Sequence, residues 1–264
     1  MPELPDVEAY RRIVEDRCLD RPIEAVEAPV ARLLDDVTAG ELDRRLKGSC
    51  FIGTARHGKY LFATVGEAGW LVLHFGMTGR ILALDEPVDA PEGSGLLLRF
   101  RDGGAMAYHA PRKFGRIAWT ENPAVFARAH GLGRDAFEPR LPPEVLAERL
   151  RAHSGMVKAV LTDQSVLAGI GNVYADEALF QAGIHPKARA DRLEDRQIKA
   201  LARSLHHVCD LAIGHEADPD AMPDGWLLPH RAAGDPCPRC GAELAQTKVS
   251  GRTTVFCPKC QPEP

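Results

Sequence analysis

Four cysteines near the end of the chain have the spacing of a metal site. Cys237-Pro-Arg-Cys240 and Cys257-Pro-Lys-Cys260 are two C-x2-C pairs separated by sixteen residues. Each pair presents two sulfurs from one tight turn, and two such turns complete a tetrahedron. In a reducing compartment disulfides do not persist, which favours metal over cross-links. The spacing predicts one structural zinc ion (Zn2+). Four thiolates would close its shell and leave no open position for Lewis-acid chemistry. Between the pairs, 247–250 and 253–256 predict the strands of a hairpin, with Gly251 and Arg252 at its tip.

The start of the chain offers a different chemistry. Met1 precedes a small residue, so its removal by aminopeptidase is expected, leaving Pro2 with a free secondary amine. An α-amino group has a reference pKa of about 8, against about 10.4 for lysine, so a useful fraction is unprotonated at neutral pH. A secondary amine condensing with an aldehyde carbon gives an iminium with no N–H to lose, an electron sink for elimination. Glu3 follows directly and places an acid beside that nucleophile. Taken alone, the pair is also an ordinary way for a chain to begin.

These groups need a scaffold, and 264 residues suffice for two modest domains with their own cores. A hydrophobic content of 45% with 27% charged residues is ordinary for a globular chain. No stretch approaches the roughly 20 apolar residues of a membrane span. The start MPELPDVEAY lacks the apolar run of a secretory leader, so a cytoplasmic protein is expected. The net charge of −4 argues mildly against a polyanionic partner. Clusters matter more than totals, because exposed charges are screened beyond about 8–10 Å. Arg99, Arg101, Arg112, Lys113 and Arg116 form one basic stretch, and Arg239, Lys248, Arg252 and Lys259 another; acids gather at 85–92 and 218–224. Cys18, Cys50 and Cys209 stand singly and read as small apolar residues.

Residues 6–19 predict an amphipathic helix, with Val7, Tyr10, Val14 and Cys18 on one face and Asp6 as N-cap. Short strand-like runs follow at 51–55, 60–65, 70–75, 80–84, 95–100, 105–109 and 116–120, punctuated as in a sandwich or barrel. A Gly- and Pro-rich stretch, 130–143, marks a boundary. Helices are then predicted over 143–151, 157–161, 173–182 and 196–213, with an irregular loop over 218–236.

MPELPDVE at the start, HGKY at 57–60, HFGMTG at 74–79, PRKFG at 111–115, GIGNVYADEALF at 169–180 and GRTT…CPKCQ at 251–261 jointly resemble the formamidopyrimidine-DNA glycosylase (MutM-type, Fpg/Nei) family over nearly the whole chain. The resemblance implies an α+β fold: an N-terminal β-sandwich with flanking helices, then a helical helix–two-turns–helix domain with a zinc-finger hairpin. It divides the chain into a catalytic sandwich (1–130), a helix–two-turns–helix DNA-binding domain (143–214) and a four-cysteine finger (235–264). It implies a bifunctional glycosylase and abasic-site lyase acting as a monomer on damaged double-stranded DNA. Pro2 becomes the Schiff-base nucleophile and Glu3 the general acid. Lys59 assists elimination, and Arg252 binds phosphate and serves the second elimination. Asn172 and Lys158 match phosphate contacts, Lys113 belongs to the DNA-binding loop, and Met77, Arg112 and Phe114 fill the gap left by an extruded nucleotide. The chemistry is consistent, since a base attacked at its sugar must leave the stack and proteins plug such voids with apolar wedges. Gly169-x-Gly171-Asn172 lacks the third glycine of a dinucleotide loop and reads instead as helix-start amides for a DNA phosphate. Glu177 reads as a tether for that turn.

Several positions depart from the family. Asp6 stands where glutamate is usual, Ala110 where aspartate is, and Lys113 where arginine is frequent, with loss of the bidentate fork. Pro91-Glu-Gly-Ser-Gly replaces a histidine-bearing segment. The family's glycine- and hydroxyl-rich loop that covers 8-oxoguanine is absent, and 214–236 reads GHEADPDAMPDGWLLPHRAAGDP. HFGMTG, HGKY and PRKFG resemble the formamidopyrimidine branch more than the endonuclease VIII branch, which implies oxidised or ring-opened purines as substrates. The alternatives are an oxidised-pyrimidine glycosylase of the endonuclease VIII type and a non-catalytic damaged-DNA binding module.

Overall fold

The structure, a computed structural model, describes residues 1–86, 89–137 and 139–263. It resolves into two compact units: Met1–Pro2 with Asp6–His130, and Glu3–Pro5 with the chain from Gly131 onward.

The first unit holds most of α1 (Leu4–Cys18), then β1 (Ile23–Glu27), α2 (Ala39–Leu46), β2 (Gly53–His57), β3 (Tyr60–Thr64), β4 (Trp70–His74), β5 (Arg80–Leu84), β6 (Ser94–Phe100), β7 (Ala105–His109), β8 (Arg116–Thr120) and α3 (Pro123–Ala129). All strand pairs here are antiparallel, in two four-stranded sheets of order β1-β6-β7-β5 and β2-β3-β4-β8. Alternating residues of both sheets meet in one core: Leu61, Leu71, Leu73 and Ile117 from one, Ile81, Leu98, Met106 and Tyr108 from the other. Val7, Val14 and Cys18 of α1 and Leu42 and Leu46 of α2 close that core from the side. The outer face of the second sheet is covered as well, because Phe126 of α3 packs on Phe62 and Val72.

Every strand predicted from the sequence exists within two or three residues of its expected limits. Helix α1 begins at Leu4, so Asp6 sits in its first turn and does not cap it. Among the strands and α-helices of this unit's described residues, β1, α2 and α3 were not anticipated. Strand β1 is five residues long, and its pairing partner β6 lies more than 65 residues away. Helix α2 is announced by a capping box, Thr38 with Glu41, that was there to be read.

The second unit contains β9 (Arg134–Asp135), α4 (Pro143–Arg151), α5 (Val157–Leu161), β10 (Leu167–Ala168), α6 (Asn172–Ala182), α7 (Asp195–Gly214), β11 (Ala245–Val249) and β12 (Arg252–Phe256). Strands β9 and β10 are a short parallel pair. Helix α6 is buried from Tyr174 to Phe180 on all sides, the signature of a central helix. Leu146 and Leu150 of α4, Val157 and Leu161 of α5 and Leu201 and Leu205 of α7 share its core. The stretch 214–236 is folded through two 3-10 turns. Met222 and Trp226 pack against Tyr174, Val208 and Ala212, while Leu227 enters the cluster that holds Phe180, Val255, Cys237 and Cys257.

Candidate active site and nucleic-acid interface

Glu3 is 2% exposed and lies at the start of α6. Its carboxylate accepts three backbone N–H groups: Gly171 at 2.8 Å and Tyr174 at 3.2 Å on Oε2, and Val173 at 2.9 Å on Oε1. A helix N-terminus leaves these donors unpaired and carries partial positive charge, so an anion is stabilised there. A Cβ at Gly171 would overlap the Glu3 carboxyl, and this close approach requires the glycine. The Leu4 N–H adds a bond to the Gly169 carbonyl at 3.0 Å. The expectation that these amides receive a phosphate is corrected: Glu3 already occupies them. Pro2, one peptide bond earlier, is half-buried.

Among the first unit's residues, Lys59 is buried in the two-residue turn joining β2 to β3, where Arg56 donates to the Gly58 carbonyl at 3.2 Å. Met77, at 44% exposure, lies between β4 and β5, and Phe114, at 53%, between β7 and β8. Their loops touch: Gly76, at φ 58°, packs so closely on the Phe114 backbone that a Cβ would collide with it. Arg112 and Lys113 are exposed on the same loop. The Arg112 guanidinium lies 5.4 Å from the Phe114 ring centre, and Arg32 lies 5.9 Å from it. Lys113 holds a left-handed φ of 53°, a cost of roughly 1–2 kcal/mol, and its N–H bonds the Ala110 carbonyl at 2.8 Å. Two large apolar tips and two cations are thus raised on adjoining loops. His74, on the tip of β4, stacks near Tyr60 at 4.8 Å. Burial, with Lys59 and then Arg116 nearby, pushes its imidazole down from 6.5 to about 4. The basic stretch 99–116 is divided, since Arg99 pairs with Glu27 at 2.8 Å and Arg116 with Asp35 at 3.1 Å.

In the second unit, Ser250 and Gly251 have φ of 48° and 76°, the two positive angles of a type I′ hairpin turn. Arg252 is therefore the opening residue of β12, paired with Val249, and stands beside the tip instead of on it. Its exposed guanidinium donates to Thr162 Oγ1 at 3.1 Å. A surface cavity of about 650 Å³ opens beside it, lined by His153, Thr162, Gln164, Ser250 and Arg252 among others. Asn172 turns its Nδ2 to the Thr253 carbonyl at 2.9 Å. Lys158 is placed differently from its expected part as a phosphate contact. It is 1% exposed, and its ammonium meets Asp176 at 2.6 Å and Thr254 Oγ1 at 2.6 Å. A charge so committed has none left to present at the surface.

The cysteine sulfurs of 237, 240, 257 and 260 all lie within 4.8 Å of one another, with Cys237–Cys260 at 3.9 Å and Cys240–Cys257 at 3.5 Å. A tetrahedron with metal–sulfur bonds of about 2.3 Å has edges of about 3.8 Å, so the four thiolates fit one zinc ion. Arg239, read from the sequence as part of a basic patch, is a clamp. It lies over the Phe180 ring at 4.3 Å and donates to the Phe180 carbonyl and to Gln181 Oε1.

Asp176 and Arg231 were not singled out from the sequence, yet they form an ion pair in the interior of this unit. The available signal was an aspartate beside Glu177 in the middle of a mostly apolar helix, a placement costly without a partner. Glu177 does act as a tether, but for the stretch 214–236: its Oε2 accepts the Leu228 N–H at 2.7 Å.

Three family models match the chain. That of the formamidopyrimidine-DNA glycosylase N-terminal domain covers residues 1–117, that of the glycosylase's H2TH domain 132–220, and that of a zinc finger found in FPG and IleRS 234–262. Among similar proteins, the formamidopyrimidine-DNA glycosylase of Thermomicrobium roseum is 35% identical over 99% of both chains. That of Pelobacter propionicus is 34% identical over 99% of this chain and all of its own. Among solved structures, the Lactococcus lactis enzyme non-covalently bound to DNA containing an AP site superposes with a TM-score of 0.88 at 29% identity. MutM in complex with DNA containing carbocyclic 8-oxo-G does so at 0.89 and 30%. Each match covers 99% of this chain and 100% of the other.

Proposed function

Because this chain belongs to the formamidopyrimidine-DNA glycosylase family, we propose that it excises oxidised or ring-opened purines from duplex DNA and then cuts the strand, using Pro2 as nucleophile. The observation that carries the site assignment is the clamp on Glu3. Three N–H donors fix that carboxylate, and Pro2 is joined to it by one peptide bond, so the acid is held in place directly beside the nucleophile in the chain. Such preorganisation is where positioning contributes to rate.

With Met1 removed, the Pro2 nitrogen attacks C1′ of the sugar. A bond forms from nitrogen to C1′, the bond from C1′ to the base breaks, and the departing base carries off the electron pair and takes up a proton. Glu3 manages that proton and then protonates O4′ as the C1′–O4′ bond breaks with its electron pair to oxygen, which opens the deoxyribose and leaves an iminium between Pro2 and C1′. The resulting iminium withdraws electrons, so loss of a proton from C2′ expels the 3′-phosphate, and loss from C4′ expels the 5′-phosphate. Lys59 assists these proton losses, and Arg252 neutralises phosphate in the second. Water then releases the sugar remnant and restores the amine. Met77 and Phe114 occupy the void of the extruded nucleotide, and Arg112 pairs with the base left behind. Lys113 and Asn172 complete the phosphate contacts. Cys237, Cys240, Cys257 and Cys260 would hold zinc, which supplies no chemistry of its own and stiffens the Arg252 hairpin. On this reading the enzyme works as a monomer in the cytoplasm, where a four-thiol metal site fits the reducing conditions.

Borohydride reduction of the iminium on abasic DNA tests this directly. Wild-type protein should give a covalent adduct mapping to Pro2, and Pro2→Gly should lose it while still binding DNA. An undiminished adduct mapped to Lys59 would overturn the assignment, and no adduct from wild type would leave a binding module.

A further inference from the structure

Asp176 sits at a junction of four elements within the second unit. Its side chain is fully buried. Oδ1 faces the Lys158 ammonium of α5 at 2.6 Å. Oδ2 accepts from Arg231, in the stretch that precedes the finger, and from the Val255 N–H of β12 at 3.3 Å. Lys158 carries the link onward to Thr254 Oγ1 at 2.6 Å and the Thr253 carbonyl at 3.4 Å. Asn172, one turn before Asp176 on α6, grips the same carbonyl at 2.9 Å. Three consecutive residues of β12 are thus held to α5 and α6, and the next residue back is Arg252. The side-chain partner of Arg252, Thr162, caps the end of α5. Burial pushes the Asp176 carboxyl up and the Lys158 ammonium down, and their mutual attraction opposes both.

We propose that Asp176 is the positioning residue of the Arg252 hairpin, holding β12 by the Val255 N–H and neutralising the Lys158 and Arg231 charges beside it, and that Lys158 bears on DNA binding through this junction and not by touching phosphate. The proposal rests on the reading of Arg252 as a phosphate contact. Its logic is one of charge. The junction has two cations and one anion. Lys158→Met leaves the Asp176–Arg231 pair intact. Asp176→Asn leaves the buried Lys158 and the part-buried Arg231 without the anion they share, and breaking a buried pair is far worse than never having it. Removing Lys158 should therefore repair Asp176→Asn.

The test is DNA affinity as a function of salt, with zinc content measured in each variant as a control for folding. Arg252→Ala should reduce the slope of log K on log salt by about one phosphate's worth. Lys158→Met should keep the wild-type slope and lose about threefold or less in affinity. Asp176→Asn should lose tenfold or more along with the Arg252 slope contribution, and should take no further slope when added to Arg252→Ala. Asp176→Asn with Lys158→Met should recover affinity, or recover folding if Asp176→Asn alone does not fold. A double variant no better than Asp176→Asn overturns the proposal, as does Lys158→Met flattening the slope in the Arg252→Ala background. If Arg252→Ala leaves the slope unchanged, the phosphate reading of Arg252 fails, and the proposal falls with it.

Discussion

Replacing Glu3 by glutamine keeps the size of the side chain and removes its charge, and the structure says what else it removes. A carboxylate offers acceptors on both oxygens, which is why it can serve Gly171 and Tyr174 on one and Val173 on the other. Glutamine has one carbonyl oxygen and one amide nitrogen. If the oxygen takes Gly171 and Tyr174, the amide faces the Val173 N–H as donor to donor. An unsatisfied buried donor costs about 1–3 kcal/mol. Losing an anion at a helix N-terminus adds roughly 0.3–1 kcal/mol, more when buried. The sum is about 2–4 kcal/mol. At roughly 2–4 °C per kcal/mol for a unit of this size, Tm should fall by about 4–16 °C. Differential scanning calorimetry on wild type and Glu3→Gln at neutral pH measures it, with the loss read on the transition of the unit containing α6. Excision of the damaged base should also be lost. A Tm within about 1 °C of wild type would refute the reasoning, because it would mean that the three amides need no anion.

The remaining predictions concern pH, metal and substrate. His74 titrates near 6.5 when unfolded and about 4 when folded, so the unfolded chain alone takes up a proton between those values. Stability should be unaffected by this group above pH 6.5 and should fall by about 3 kcal/mol as pH drops toward 4; His74→Gln should remove that part of the acid sensitivity in denaturant titrations, and an unchanged profile would contradict it. Cys237→Ser should lose zinc by elemental analysis and weaken DNA binding while the sandwich unit stays folded, since the binding energy of such a site is folding energy; wild-type protein purified without zinc would defeat the metal assignment. Segment 214–236 turns Met222, Trp226 and Leu227 inward and commits the Leu228 N–H to Glu177, which leaves few donors to grasp a lesion. Single-turnover excision of formamidopyrimidine should therefore exceed that of 8-oxoguanine by roughly ten- to a hundredfold, the worth of one or two hydrogen bonds of about 1–3 kcal/mol. Equal or faster release of 8-oxoguanine would show that selection lies elsewhere.

Much of this protein is legible in its sequence, because short-range spacing carries the relevant physics. Two C-x2-C pairs specify a sulfur tetrahedron within 24 residues. Runs of five to seven residues between Gly, Asp and Pro specify the strands, and Pro143 and the apolar periodicity specify α4 and its neighbours. Motifs singled out Met77 and Phe114, and both are exposed, although burial preference alone would have sent them to the core. What the sequence did not contain was the identity of distant partners. The N-terminus of α6 calls for an anion, but only the tertiary structure decides that the anion is Glu3, some 168 residues earlier, and not a phosphate. Lys158 looks like any surface cation in its own segment. Burial beside Asp176 turns it inward, because a charge taken out of water must be paired. The stretch 214–236 has no periodicity to read, and it folds only because Trp226 and Leu227 find apolar walls built by α6, α7 and the finger. Local patterns set which elements form. Which charges and apolar side chains end up without water, and therefore which partners they must find, is settled by packing between residues far apart in the chain.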